Sequence, residues 1–224
     1  MKKLVIYGDS ILRGITYSDE KSKYQLRNGY KLDTLKDMGL EVTNHSRMGA
    51  TIDKGLTMLE RSLEDCDSDS FVLLEFGGND SDYNWERISE NPDGEFTPNT
   101  PEDSFATLYG KAIGMARSTG ATVILSNLIP IDAEKYLDWI SRKYDKKRIL
   151  KWLGDTSMLY RFHEHYNRLV ERIAKDNCCP LIDVREEFLL SHESKSLISL
   201  DGIHPSERGH RIIENNLRLA LQAM

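Results

Sequence analysis

The sequence predicts an α/β fold in which five parallel strands form one sheet covered by helices on both faces. Three observations predict it. Short apolar, β-branched runs alternate five times with stretches of helical periodicity. The clearest of these runs break at glycine-bearing turns with polar side chains, as parallel strands do when they deliver their loops to one edge. Length is the third: 224 residues suffice for one well-cored α/β domain and are short for two. With no repeat, low-complexity tract or linker in view, residues 1–224 read as a single domain.

The first run is Lys3 to Tyr7, which ends at Gly8-Asp9-Ser10 and reads as a buried strand presenting Ser10 at its carboxyl end. Tyr17 to Tyr30 reads as polar and irregular, followed by a helix through Leu32, Leu35 and Met38 that stops at Gly39. Leu40 to Thr43 is a short second strand opening into the loop Asn44 to Gly49. Ile52, Leu56, Leu59 and Leu63 recur at helical spacing, which predicts an amphipathic helix from Thr51 to Glu64 with Asp53 near its positive end.

Phe71 to Phe76 is the third strand, closing at Gly77-Gly78-Asn79-Asp80. The stretch of about 81–100 is too long and proline-spaced for a plain connection and reads as an insertion. Thr100 as cap and Pro101 in the first turn start a helix that runs to Thr119 and ends at Gly120. Ala121 to Leu125 is the fourth strand. A second insertion at about 130–154 is helical, charged and aromatic, and a helix follows from Asp155 to Asp176. Pro180 to Val184 supplies the fifth strand, and after Asp201-Gly202-Ile203-His204-Pro205 a last helix carries Ile212, Ile213, Leu217 and Leu221.

Composition narrows the class. Hydrophobic residues at 39% and charged residues at 29% describe a folded globule. A net charge of -6 argues against nucleic acid, which needs clustered Lys and Arg to neutralise phosphate. The apolar run after Met1-Lys2-Lys3 is too short for a signal-peptide core or a membrane span, so a cytoplasmic location without an integral membrane segment is expected. Cys66, Cys178 and Cys179 make no metal-ligand spacing and fit a reduced compartment, the adjacent pair as small apolar residues entering a strand.

Chemistry is suggested by four blocks. Ser10 needs a base and a set of oxyanion donors at the same sheet edge. In Asp201-Gly202-Ile203-His204, a spacing of three across a glycine lets the carboxylate hold the imidazole in one tautomer. Asn79 could give its side-chain amide to a developing oxyanion, and Gly49 and Ser10 their backbone N–H groups. In a parallel sheet all of these gather at one edge.

Together the blocks Gly8-Asp9-Ser10, Asn44 through Gly49, Gly77-Gly78-Asn79-Asp80 and Asp201 through His204-Pro205 resemble the SGNH or GDSL-type hydrolases, in family order from end to end of the chain. The resemblance implies a three-layer α/β/α flavodoxin-like fold around the five-stranded parallel sheet and serine-dependent ester hydrolysis through an acyl-enzyme, with no metal or cofactor. It makes Ser10 the nucleophile, His204 the base and then acid, Asp201 the orienting carboxylate, and Ser10 N–H, Gly49 N–H and Asn79 the oxyanion hole. The family's first block usually continues with Leu or Ile and then a small or polar residue, whereas here Leu12 follows Ile11.

Around that centre, Asp9, Tyr83 and Trp85 are placed to contact a substrate. Asp9, Asp80 and Asp201 read as turn residues rather than metal ligands. His163 and His165 lie two apart on a helix and face different ways, and His192 and His210 read as surface or core-edge residues. The basic run Lys143, Lys146, Lys147, Arg148, Lys151 reads as a solvated face or a steering patch for an anionic substrate. Trp139, Tyr144 and Trp152 form either an aromatic core under the second insertion or the wall of a pocket. The expected substrate is a small ester with a short acyl group, such as acetyl on a carbohydrate, because no long apolar groove is visible. A lysophospholipase or thioesterase is the alternative, and a non-catalytic module holding an anion at helix N-termini is the alternative of another class.

Overall fold

The structure is a computed structural model that describes residues 2–27, 35 and 38–224. Its centre is a five-stranded, all-parallel sheet in the order β4-β1-β5-β6-β7, built from β1 (Lys3–Gly8), β4 (Glu41–Asn44), β5 (Ser70–Glu75), β6 (Thr122–Ser126) and β7 (Leu181–Ile182). Counting only sheet strands in chain order, this is the doubly wound flavodoxin-like arrangement. β1 and β5 run in register from Lys3↔Ser70 to Gly8↔Glu75.

Strand alternation divides the core into two layers. Val5, Tyr7, Val72, Leu74, Val123 and Leu125 point to one face. There they meet α1 (Ile52–Arg61), α3 (Glu102–Ser118) and α6 (Ser157–Asp176) through residues such as Leu59, Tyr109 and Val170. Leu4, Ile6, Phe71, Leu73 and Ile124 point to the other face. They meet α7 (Glu186–Leu190), α8 (Ser194–Leu197) and α9 (Glu207–Gln222) through Phe188, Leu197, Ile213 and Leu217. A strand buried on both faces has no polar side, which is why these runs read as continuously apolar.

A third apolar cluster lies above the carboxyl edge of the sheet. The first insertion contains α2 (Trp85–Glu90), and the second contains α4 (Ala133–Ile140) and α5 (Lys146–Leu153). Trp85, Ile88, Tyr136, Leu137, Ile140, Ile149, Leu153 and Leu159 pack together as a cap over that edge. The two insertions are also stapled by the basic run: Lys151 pairs with Asp93 at 2.6 Å, and Arg148 donates to the carbonyls of Ser89 and Glu90. Lys146 pairs with Asp138 at 2.6 Å. Much of that charge is therefore committed to neighbours within the chain.

Several expectations need correction. Part of the stretch read as irregular is a β-hairpin, β2 (Ile15–Ser18) with β3 (Lys23–Leu26), in which Tyr17 faces Tyr24 across the pair. Its alternation was hidden because its polar residues are only half covered and its turn carries no glycine; Ser22 takes the left-handed φ of 47° instead. Pro101, not Thr100, occupies the cap position of α3, because the Thr100 hydroxyl is drawn to Asp80 at 2.6 Å. Cys178 is exposed, in a turn with φ 50°, while Cys179 alone enters the core. His210 is fully buried and binds the Ile15 carbonyl at 2.9 Å, whereas His192 is at the surface. Apart from Leu35 and Met38, the helix expected before Gly39 lies outside the described residues.

Candidate active site

The sheet order reverses direction between β1 and β5, and an open α/β sheet offers its ligand crevice at that point. The expected nucleophile follows one of these strands and Asn79 follows the other. After β1 the chain turns tightly: Ile11 N–H donates to Asp9 Oδ1 at 2.8 Å, and Ile15 N–H returns to the Ser10 carbonyl at 2.9 Å. Ser10 is thereby fixed, its side chain buried at the strand's end.

His204 reaches it from the last loop. Its Nε2 lies 2.8 Å from Ser10 Oγ and its Nδ1 lies 2.6 Å from Asp201 Oδ2. The facing carboxylate assigns the ring proton to Nδ1, which leaves the Nε2 lone pair to accept from the Ser10 hydroxyl. Asp201 is itself locked by the N–H groups of Ile203 and His204, both donating to Oδ1 at 3.2 and 3.1 Å. The turn requires Gly202: φ is +80°, and a Cβ there would sit 2.3 Å from the Tyr136 nitrogen. Asp132 N–H donates to the Gly202 carbonyl at 2.8 Å, so the histidine turn is docked directly on the cap.

Asn79 sits across from Ser10. Its side-chain amide donates to Asp9 Oδ2 at 2.9 Å and to the Ala50 carbonyl at 3.2 Å, so both hydrogens are engaged in the resting site. The longer of these bonds is the one a developing oxyanion can compete for. Gly49 has the left-handed φ of +70° on the adjoining loop and does not line the cavity beside Ser10. That loop is tied to the serine turn by Arg13, which donates to the Ser46 carbonyl at 2.9 Å, and by Asn44, which donates to the Leu12 carbonyl at 2.8 Å.

Carboxylates underlie this arrangement. Asp80 accepts from Ile52 N–H at 3.0 Å and from Thr100 Oγ1 at 2.6 Å, joining the Asn79 turn to the start of α1 and so to the Gly49 loop. Burial pushes its carboxyl up to about 6. Asp9 is likewise pushed up to about 6 by burial, and Glu75, which accepts from Asp9 N–H, is raised by burial and by the Asp9 charge beside it. Close packing of acids favours the protonated forms here.

A cavity of about 70 Å³ opens at Ser10 and His204. Asp9, Asn79, Tyr83 and Trp85 line it together with Leu128, Ile129, Ile131, Leu159, Phe162 and His163. Of the expected site residues, Ser10, His204, Asn79, Asp9, Tyr83 and Trp85 therefore share one space, and Asp201 lies behind His204. Trp85 is held by its indole N–H, which points at Asp82 Oδ1 (2.9 Å) and the Tyr136 hydroxyl (3.0 Å). Tyr83 packs edge-to-face on Trp152 and tilted against Phe162. Trp139 packs instead on Tyr17 and Tyr24 of the hairpin, so it and Trp152 belong to the cap's aromatic core rather than to the cavity wall.

Four participants were missed in the sequence. Tyr24 places its ring 5.1 Å from that of His204, covering the imidazole from the hairpin. Glu75 carried a signal: it is the one charge in the apolar run Phe71 to Phe76. His163 carried one too, since it falls on the buried face of α6 between Leu159 and Tyr166. Asp82, half-buried with its carboxylate enclosed by Trp85 and Tyr136, carried none beyond its place after Asn79.

Comparison with known proteins places the fold. The profile of the GDSL-like lipase/acylhydrolase family matches residues 6–212. The lipase/acylhydrolase of Enterococcus faecalis superposes with a TM-score of 0.63 at 19% identity, covering 100% of this chain and 96% of that one. A member of the lipolytic protein G-D-S-L family from Veillonella parvula gives 0.67 at 17% identity, with 100% of both chains covered. An acetyl xylan esterase, AlAXEase, gives 0.62 at 19% identity, covering 98% and 99%. At these identities the likeness is one of fold. No curated protein matches by sequence.

Proposed function

The chain belongs to the GDSL-like lipase/acylhydrolase family, which makes it a carboxylic ester hydrolase, and we propose that it works through an acyl-enzyme on Ser10. The observation that carries this reading is the unbroken chain from Ser10 Oγ through both ring nitrogens of His204 to Asp201, at 2.8 and 2.6 Å. A serine hydroxyl is a weak nucleophile until a base takes its proton, and the base works only in the tautomer its carboxylate partner enforces.

In this mechanism Ser10 Oγ attacks the ester carbonyl while its proton passes to His204 Nε2. The oxyanion draws on the backbone N–H of Ser10 and on the Asn79 amide, which gives up its longer bond to Ala50; the family resemblance adds the N–H of Gly49, whose loop adjoins the cavity without lining it. His204 then protonates the departing alcohol, and a water deprotonated by the same nitrogen releases the acid. Asp9 keeps the Asn79 amide aimed throughout, and Tyr83 and Trp85 contact the substrate.

The acyl group is short. The cavity beside Ser10 is small, and Ile129, Leu159 and Phe162 are among the apolar side chains that line it, which suits acetyl to butyryl groups, including acetyl carried on a carbohydrate. A non-catalytic anion-binding module would have no use for a histidine bonded on both sides.

A fluorophosphonate probe tests the reading. It should label the native protein and leave Ser10→Ala unlabelled; a folded native protein that resists labelling would refute it. A series of p-nitrophenyl esters then sets the chain length. Rates should fall beyond butyryl, whereas rates that rise with length would favour a lysophospholipase or thioesterase.

A further inference from the structure

The cavity is lined by a polar ring that the mechanism leaves idle and that no described residue hydrogen-bonds. His163 projects from α6 into the space shared with Ser10 and His204, in a wall otherwise made by Leu128, Ile129, Leu159 and Phe162. It is 7% exposed. Its Nδ1 is sealed from solvent without a hydrogen-bond partner, and neither ring nitrogen bonds to any described residue. The other atoms at this wall are satisfied: Asn167 Oδ1 takes the Leu128 N–H, and Arg185 donates to the Leu128 carbonyl, Tyr160 and Glu164.

Native interiors rarely leave a polar group unpaired; here only Nδ1 is sealed, so Nε2 is the nitrogen that a molecule in the cavity lined by this ring can reach. The ring is neutral, because burial, with the Arg185 charge nearby, pushes its pKa down to about 3. A neutral imidazole carries one proton. An orphaned buried N–H is the rarer arrangement in proteins, so the proton belongs on Nε2, the nitrogen that retains access to the cavity, and the unpaired Nδ1 lone pair stays in the wall.

We propose that His163 is a specificity-determining residue whose Nε2–H donates to a substrate oxygen beyond the scissile ester. The enzyme thus selects esters carrying a hydroxyl or carbonyl oxygen there over their hydrocarbon analogues. This rests on the esterase reading and deepens it by naming the substrate class. The oxygen can belong to the acyl group or to the alcohol.

Two matched series separate these sources in the native enzyme, His163→Leu and His163→Gln: p-nitrophenyl 3-hydroxybutyrate against butyrate, and glycerol monoacetate against ethyl acetate. In the series whose oxygen meets His163, the ratio of kcat/KM values should favour the oxygenated ester. His163→Leu should lower that ratio about tenfold, and His163→Gln, which keeps a donor, should retain part of it. Loss in the first series alone places the oxygen on the acyl group, and loss in the second alone places it on the alcohol. Ratios that stay constant across all three proteins in both series overturn the proposal. Failure of the native protein to take a fluorophosphonate label would instead overturn the esterase reading beneath it.

Discussion

The carboxyl edge of the sheet and the cap above it are built on different physical terms. At the edge nearly every functional polar atom has a directional partner at 2.6 to 3.2 Å: Ser10 with His204, His204 with Asp201, Asn79 with Asp9 and Ala50, Asp80 with Thr100. In the cap the cohesion is mainly aromatic and apolar, with Tyr83, Trp85, Phe96, Trp152 and Phe162 linked by ring contacts, and His163 at its border has no hydrogen-bond partner among the described residues. Hydrogen bonds fix geometry to tenths of an ångström, as bond-making chemistry demands. Apolar packing fixes volume and shape and tolerates exchange. On the proposed reading, reaction type is written into the edge and selectivity into the cap.

The comparison breaks most sharply at Ser10 and Asp201. Ser10→Ala should lower kcat/KM by roughly 10⁴-fold or more, and Asp201→Asn by about 10³- to 10⁴-fold, since the amide favours the wrong tautomer of His204. Steady-state hydrolysis of p-nitrophenyl acetate measures both, and near-native activity in either would place the base elsewhere. Asn79→Ala should cost about 10²- to 10³-fold, mostly in kcat, as an oxyanion donor does. An effect confined to KM would make Asn79 a binding residue only.

The cap should answer differently. Trp152→Ala removes a ring that packs on Tyr83, Trp85, Phe96 and Phe162, and should destabilise the protein by about 3 kcal/mol in urea unfolding. Its effect on kcat for acetyl esters should be under tenfold. A kcat loss as large as that of Asn79→Ala would mean that the cap takes part in the chemistry.

Acid titration sharpens the contrast further. Burial raises the Asp82 carboxyl to about 6, so its contribution to stability is full below the unfolded value near 4 and is lost as pH rises through 6. His163 runs the other way: with its pKa lowered to about 3, the folded state loses ground as pH falls below the unfolded value near 6.5. Relative to the native protein, Asp82→Asn should therefore gain stability between pH 4 and pH 7, and His163→Leu should gain it between pH 6.5 and pH 4. Each gain should reach about 2 kcal/mol, read from thermal melts across pH. Parallel pH curves for native protein and variant would refute the assignment.

What was legible in the sequence follows the same division. The central strands were readable because strands buried on both faces are apolar throughout, as in Leu4 to Tyr7 and Phe71 to Leu74, and the edge strands from their place between helical stretches. Ser10 and Asn79 were readable because tight turns at strand ends draw on few residue types, and Asp201 and His204 because their spacing of three spans a glycine turn. Tyr24 was not, since its place over His204 depends on a hairpin with a weak local pattern and on packing against Trp139 from the second insertion. Thr100 misled because its hydroxyl serves Asp80, a residue twenty positions away, in preference to the helix it precedes. Partnerships between side chains distant in sequence leave no periodicity to read.

The most direct test of the account is to mix the enzyme with excess p-nitrophenyl acetate, quench in acid within milliseconds, and map the modified peptide by mass spectrometry. A single acetyl group on Ser10, formed in step with a burst of p-nitrophenol and absent from Ser10→Ala, is the predicted result. Turnover with no adduct on Ser10, undiminished in Ser10→Ala, would contradict it.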